Sequence, residues 1–177
     1  MKQKNNDSQV FWESFHWVFF INVQGLIISM LRFEKFIAVE DFELAKVELN
    51  TAVDLMLAAA ASMELAGNFT REEYEFYVRP TMIPPKVNSD DFSGLMSWDH
   101  AYLMKIWKRV QPKFKSMPLT LKSEQEKFVS AYMTLSKSHK KVCSKFGGTE
   151  LGSLRSKNIT AIEVLEKFEH NRKQLIE

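Results

Sequence analysis

The stretch "SEQEKFVSAYMTLSKSHKKVCSKFGGTELGS", residues 123–153, decides the fold class. Wound as a 3.6-residue spiral, Phe128, Tyr132, Leu135, His139, Val142 and Phe146 recur at alternating spacings of four and three. They form one continuous inward face of a helix over 123–146. Lys137, Lys140, Lys141 and Lys145 fall away from that face. A histidine inside such a stripe is either a buried neutral imidazole bonded to a neighbour or a ligand for something held within the protein. Spacing alone leaves both open. Gly147, Gly148 and Gly152 follow. They expose backbone N–H groups able to receive a carboxylate, or they simply make a short interhelical turn.

The same periodicity extends outward. The first helix spans about 7–38 and is apolar nearly all round, as expected of a central helix. The second, about 41–66, carries "LMLAAAASMELA" and stops at Gly67-Asn68. Thr70 with Glu73 three residues later is a capping box for a short helix ending before Pro80. Residues 79–96, "RPTMIPPKVNSDDFSGLM", hold three prolines and are expected to be a long irregular loop of functional kind. Ser97 caps a helix to about 115, and a terminal helix is expected from about 158. No stretch keeps the alternation of a half-buried strand. The expectation is an all-α bundle of five to six helices with a long Pro-rich loop, in a single domain over 1–177.

Composition narrows the function. A net charge of +2 over 177 residues points to neither nucleic acid nor an anionic membrane surface. One cysteine excludes an internal disulfide, and no zinc-finger or CxxC spacing occurs. Fourteen phenylalanines and four tryptophans can wall a flat ligand. The basic-then-apolar start resembles a secretory signal, but Glu13, Asn22 and Gln24 interrupt it and the unbroken run Trp17–Ile21 is short. A cytoplasmic protein with no membrane partner is expected.

Three of the four histidines fall on inward faces. His139 is joined by His100, with Leu103, Met104 and Trp107 one and two turns on, and by His16 among Trp12, Phe15, Phe19 and Phe20. His100 lies in a first turn, where the helix N-terminus favours the neutral imidazole. His170 belongs to the surface. With no HExxH and no paired ExxH, these residues do not spell a zinc or di-iron site. One neutral imidazole in an aromatic-walled helical core is instead the minimal equipment for a proximal haem ligand.

Taken in order, "ESFHWVFFINVQGLIISMLRFE", "LMLAAAASMELAGNFTREEYEFYVRP", "FSGLMSWDHAYLM" and "SKSHKKVCSKFGGTELGS" resemble the tryptophan 2,3-dioxygenase superfamily. That superfamily is all-helical and binds b-type haem through one histidine. The resemblance implies haem b with His139 as the iron ligand, and Gly147, Gly148 and Thr149 as cofactor contacts. It matches His16 to a distal histidine, with Ser97 as the other possible distal polar group. It implies a small aromatic substrate, an indole or relative, walled by Phe15, Phe19, Phe92 and Trp98, with O₂ as co-substrate. Trp98 stands where the family places the arginine for a substrate carboxylate, which leaves Arg155 or Arg79 for that contact. The expected substrate is therefore an uncharged or differently charged aromatic rather than L-tryptophan. Family members are tetramers, so a homo-oligomer is expected. The alternatives are a non-catalytic haem-binding protein of the same fold and a helical interaction module whose histidines are structural.

Overall fold

The computed structural model describes residues 7–88, 97–153 and 156–177. Helix α1 runs Asp7–Ala38 and α2 runs Phe42–Ala66. The tight turn between them places Glu40 at φ 58°. Asp41 caps α2, its side chain accepting from Leu44 N at 3.1 Å. The two helices pack along their length because the facing positions are small. A Cβ added to Gly25 would lie 3.1 Å from Leu55, and Ala45, Ala52 and Ala59 are buried.

The capping box at Thr70 and Glu73 forms as the spacing predicts, both reciprocal bonds being present, and starts the short α3, Arg71–Glu73. The chain then continues as a π-helical turn, Tyr74–Val78, and a 3₁₀ turn, Arg79–Met82. The expected irregular loop is thus helical over its first four residues. Helices α4 (Trp98–Lys115) and α5 (Lys122–Lys145) follow, and Ser97 caps α4.

The sequence reading missed one element. Leu151–Ser153 (β1) and Ser156–Thr160 (β2) pair antiparallel as a small hairpin, and α6 spans Ala161–Ile176. The helix starts at 161 rather than 158 because Thr160 and Glu163 form a second capping box. The all-α class stands, with this hairpin the one sheet among the described residues.

The helices are packed at one end and hollow at the other. The C-terminal half of α1 (Met30, Phe33, Ile37), the second half of α4 (Ile106, Val110, Phe114) and the first half of α5 (Phe128, Ala131) form the solid core. The opposite halves of the same three helices border a cavity. Both α1 and α2 are long and apolar enough to cross a membrane by length and composition. The outer side of α1 leaves Trp17, Ile21 and Ile28 exposed.

Gln125 joins three helix ends at the packed side. Its Nε2 donates to the carbonyls of Phe114 and Ile176, both at 3.0 Å, and its Oε1 accepts from Lys122 Nζ. Gln125→Leu keeps most of the volume and removes these bonds. It is expected to lower stability by about 1–3 kcal/mol, read as a reduced urea midpoint with an unchanged m-value.

Candidate functional site

The hollow end encloses about 950 Å³, at the upper end of the roughly 300–1,000 Å³ usual for ligand cavities. The N-terminal half of α1, the 71–87 segment, the start of α4, the end of α5, and α6 all contribute to its wall. Along the α5 stripe Phe128 is buried in the core, Tyr132 is buried and also lines the cavity, and Leu135, His139, Val142 and Phe146 face it. One side is aromatic. Tyr74 stacks on Phe146 with centroids 4.5 Å apart, Phe146 stacks on Phe69 at 5.2 Å, and Trp12 meets Tyr74 edge-on at 6.5 Å.

His16, His100 and His139 all line this cavity, brought there by α1, α4 and α5, whereas His170 is exposed. His139 is part-buried and borders the cavity. Burial pushes its pKa down to about 4, with further lowering from Arg172 and from His16. Burial also lowers the pKa of His16, more than its hydrogen bond to Trp12 raises it. That bond fixes the tautomer. The Trp12 carbonyl can only accept, so the His16 nitrogen 3.0 Å from it, Nδ1, donates and Nε2 keeps its lone pair. Both shifts favour the neutral imidazole.

The glycine stretch works differently from the anion cradle envisaged for it. Gly147 has φ +85°, its N–H donates to Ser144 O, and the Gly148 N–H donates to Cys143 O at 2.8 Å. This is a Schellman termination of α5, and it consumes the donors that were to receive a carboxylate. Gly148 is required because a Cβ there would lie 2.5 Å from Cys143 O. Gly147 and Gly148 still border the cavity, but Thr149 is exposed and off its wall.

Other expected contacts are also relocated. Trp98 is 90% exposed and away from the cavity, because it sits in the first turn of α4 on the face opposite His100-Leu103. Ser97 is spent on its cap, accepting from His100 N at 3.3 Å, and Phe15 packs beside Phe11 rather than on the cavity wall. Phe19 does line the cavity, and so does Arg79. Phe92 and Arg155 lie outside the described residues.

One site residue escaped the sequence reading. Arg172 of α6 reaches the cavity, with its guanidinium 4.9 Å from the Phe168 ring centroid and Nη2 2.6 Å from His100 Nε2. Arginine cannot accept, so His100 accepts through Nε2 and carries its proton on Nδ1. Burial pushes the Tyr132 pKa up to about 12, with the charge of Arg172 partly offsetting it. The signal was in the sequence. Leu165, Phe168 and Arg172 continue one stripe at spacings of three and four, so a cation stands at an inward position.

Residues 1–124 match the family described as SfmD 3-methyl-L-tyrosine peroxygenase. The chain belongs to this family. A curated relative, the 3-methyl-L-tyrosine peroxygenase of Streptomyces lavendulae, is 28% identical over 167 residues, covering 89% of this chain and 44% of its own length. The chain thus spans less than half the length of that relative. No solved structure matches it. Within the family match lie α1 to α4, with His16, His100 and Trp107; His139 and Arg172 come from the two helices beyond it.

The donor set bears on what this family's cavity can hold. No group of three or more His, Cys, Asp or Glu side chains suited to a metal ion occurs among the described residues. The neutral imidazoles of His16 and His139, from separate helices, are the lone-pair donors that this aromatic cavity offers to a bound group.

Histidine burial also sets a pH dependence. The folded protein keeps His139 neutral down to about pH 4, while the unfolded chain takes up a proton below about 6.5. Stability is fully present above the unfolded value and falls as the pH drops from 6.5 toward 4. Urea midpoints of cofactor-free protein are expected to fall more steeply across that window in wild type than in His139→Phe, with His16 still contributing in the same direction in both.

Proposed function

We propose that this chain is a haem-dependent oxygenase-like protein that acts on an aromatic amino acid, with His139 as the iron ligand and His16 as the polar group serving the reacting side. The observation that carries this reading is the pair of enclosed, neutral imidazoles, His16 and His139, sharing one aromatic cavity of about 950 Å³. The resemblance to the tryptophan 2,3-dioxygenase superfamily supports haem, and membership of a 3-methyl-L-tyrosine peroxygenase family supports oxygenase-like chemistry on an aromatic amino acid. Haem, when bound, supplies iron that activates the oxidant.

The chain's own residues do the remainder. The neutral His139 offers a nitrogen lone pair without first losing a proton. His16 Nε2 can hold a proton or accept a hydrogen bond, because Nδ1 is committed to the Trp12 carbonyl. Trp12, Tyr74 and Phe146 exclude water from one side. The Streptomyces relative is named for 3-methyl-L-tyrosine. A phenolic amino acid therefore replaces the indole as the proposed substrate, and hydrogen peroxide joins O₂ as the oxidant to be compared. A homo-oligomer is also proposed, supported by the exposed Trp17, Ile21 and Ile28 of α1.

Reconstitution tests the reading. Wild type is expected to bind one haem with a sharp Soret band that shifts when 3-methyl-L-tyrosine is added. His139→Ala is expected to lose stoichiometric haem and to regain it with added imidazole. A wild-type Soret spectrum in His139→Ala would assign the iron to another residue. Product formed with peroxide or with O₂ separates an enzyme from a haem-binding protein without turnover.

A further inference from the structure

We propose that the outer face of α1 is an interface between two copies of this chain, packed antiparallel about a twofold axis, with Trp17 covered at the edge of the cavity. The inference rests on the homo-oligomer proposed above and deepens it, by naming the face, the orientation and the bearing on the site.

The first observation is a seam. Val10, Ser14, Trp17, Ile21, Gln24 and Ile28 follow one another along α1 at alternating spacings of four and three, and all are exposed. That spacing keeps one side of a helix aimed at a neighbouring helix over several turns, here about 27 Å. The opposite side of α1 is the one that serves the protein's own interior, through Trp12, His16, Val23 and Met30. Phe11 and Val18 widen the stripe along one flank, so that six large apolar side chains of α1 stand between 42% and 70% exposed. Together they present on the order of 600 Å² of apolar surface, the upper end for a free monomer and most of the about 800 Å² per partner in a standard interface.

The second observation is how charge is laid along that face. No charged residue lies between Glu13 and Arg32. Exposed carboxylates, Asp7 and Glu13, stand at the N-terminal end, and exposed cations, Arg32 and Lys35, at the C-terminal end. Glu34, the carboxylate between those cations, is taken by Arg109. A twofold interface must be complementary to itself. In the antiparallel arrangement each acidic end meets the partner's basic end, and the helix dipoles also oppose. A register centred near residue 22 sets Trp17 of each copy beside Ile28 of the other. A parallel pair would bring like charges together at both ends. An anionic bilayer would be repelled by Asp7 and Glu13, so charge selects the second copy as the occupant.

The seam also bears on the site. Glu13 and Trp17 line the cavity, whereas Ile21 and Ile28 do not. The N-terminal half of the seam is thus the cavity's edge on α1, and the docked copy covers that edge where Trp17 is most open.

Sedimentation velocity of the full chain over about a hundredfold range of concentration tests the interface. Wild type is expected to dimerise or form a larger even-numbered assembly. Ile21→Glu is expected to weaken association by about thirtyfold or more, because the new carboxylate meets its own symmetry mate near the axis. Ile21→Gln, uncharged, carries the comparison if the glutamate variant melts early. Glu13→Lys is expected to weaken association by about three- to tenfold at low salt, and adding Lys35→Glu to restore it to within about twofold. Hydroxyl-radical footprinting should label Trp17 about fivefold faster in Ile21→Glu than in wild type.

A wild type that stays monomeric overturns this interface and the homo-oligomer together. Assemblies that persist unchanged in Ile21→Glu and Ile28→Glu overturn this face and leave the homo-oligomer standing. A double charge swap that fails to restore association overturns the antiparallel orientation, and equal labelling of Trp17 overturns the covered edge. Binding of monomeric wild type to phosphatidylglycerol vesicles, lost in Ile21→Glu, would give the face to a membrane instead. Dimers that take up no haem remove the oxygenase reading and keep the interface.

Discussion

A run of aromatic contacts ties the solid end of this protein to its hollow end, and the placement of the three cavity histidines depends on it. Phe33 of α1 stacks on Phe114 of α4, and Phe114 stacks on Phe128 of α5, each pair with centroids 5.5 Å apart. Trp107 then meets Phe128 edge-on at 5.6 Å and Tyr132 at 5.3 Å. Buried rings of this size lock three helices at fixed azimuth and separation. Helices are stiff over these lengths, so fixing them at one end fixes the distance between their walls at the other. His16, His100 and His139 project from the extensions of those same three helices. The cavity is what remains when the packed half dictates a spacing that the other half does not fill.

Much of this was legible because a helix repeats its face. The α5 stripe read from spacing runs from Phe128 in the core through Tyr132 to His139 on the cavity wall, and helices start at the expected caps Thr70 and Ser97. Periodicity says which residues share a side, but not whether that side meets protein or empty space. The change from core to cavity along α5 is therefore invisible in the pattern. The glycine stretch shows a different limit. Glycines that end a helix and glycines that cradle an anion have the same composition; only the bonds from Gly147 and Gly148 back to Ser144 and Cys143 distinguish them. Trp98 misled for a related reason, since alignment to a family arginine gives a position along the chain and no direction from the helix axis.

Arg172 was overlooked by rule rather than by lack of signal. Charged residues next to one another, Glu169 to Arg172, read as a solvated face. Yet 165, 168 and 172 are successive members of one helical stripe, and a long side chain there can bury its stem and bring its head to an internal wall. An ion within an otherwise apolar periodicity deserves the attention usually given to a histidine in that setting.

The electrostatics of the cavity form a consistent set. Burial keeps His139 and His16 uncharged, and the first turn of α4 disfavours a second positive charge on His100. His100 must also stay neutral on Nε2 to accept from Arg172. The guanidinium of Arg172 depresses His139 further, adding to the effect of burial. The rest of the wall is mixed: aromatic rings stand beside cations such as Arg79 and Arg172 and carboxylates such as Glu75 and Glu169. The apolar part favours burial of a flat ring without fixing its direction, so orientation falls to the polar and charged groups around it.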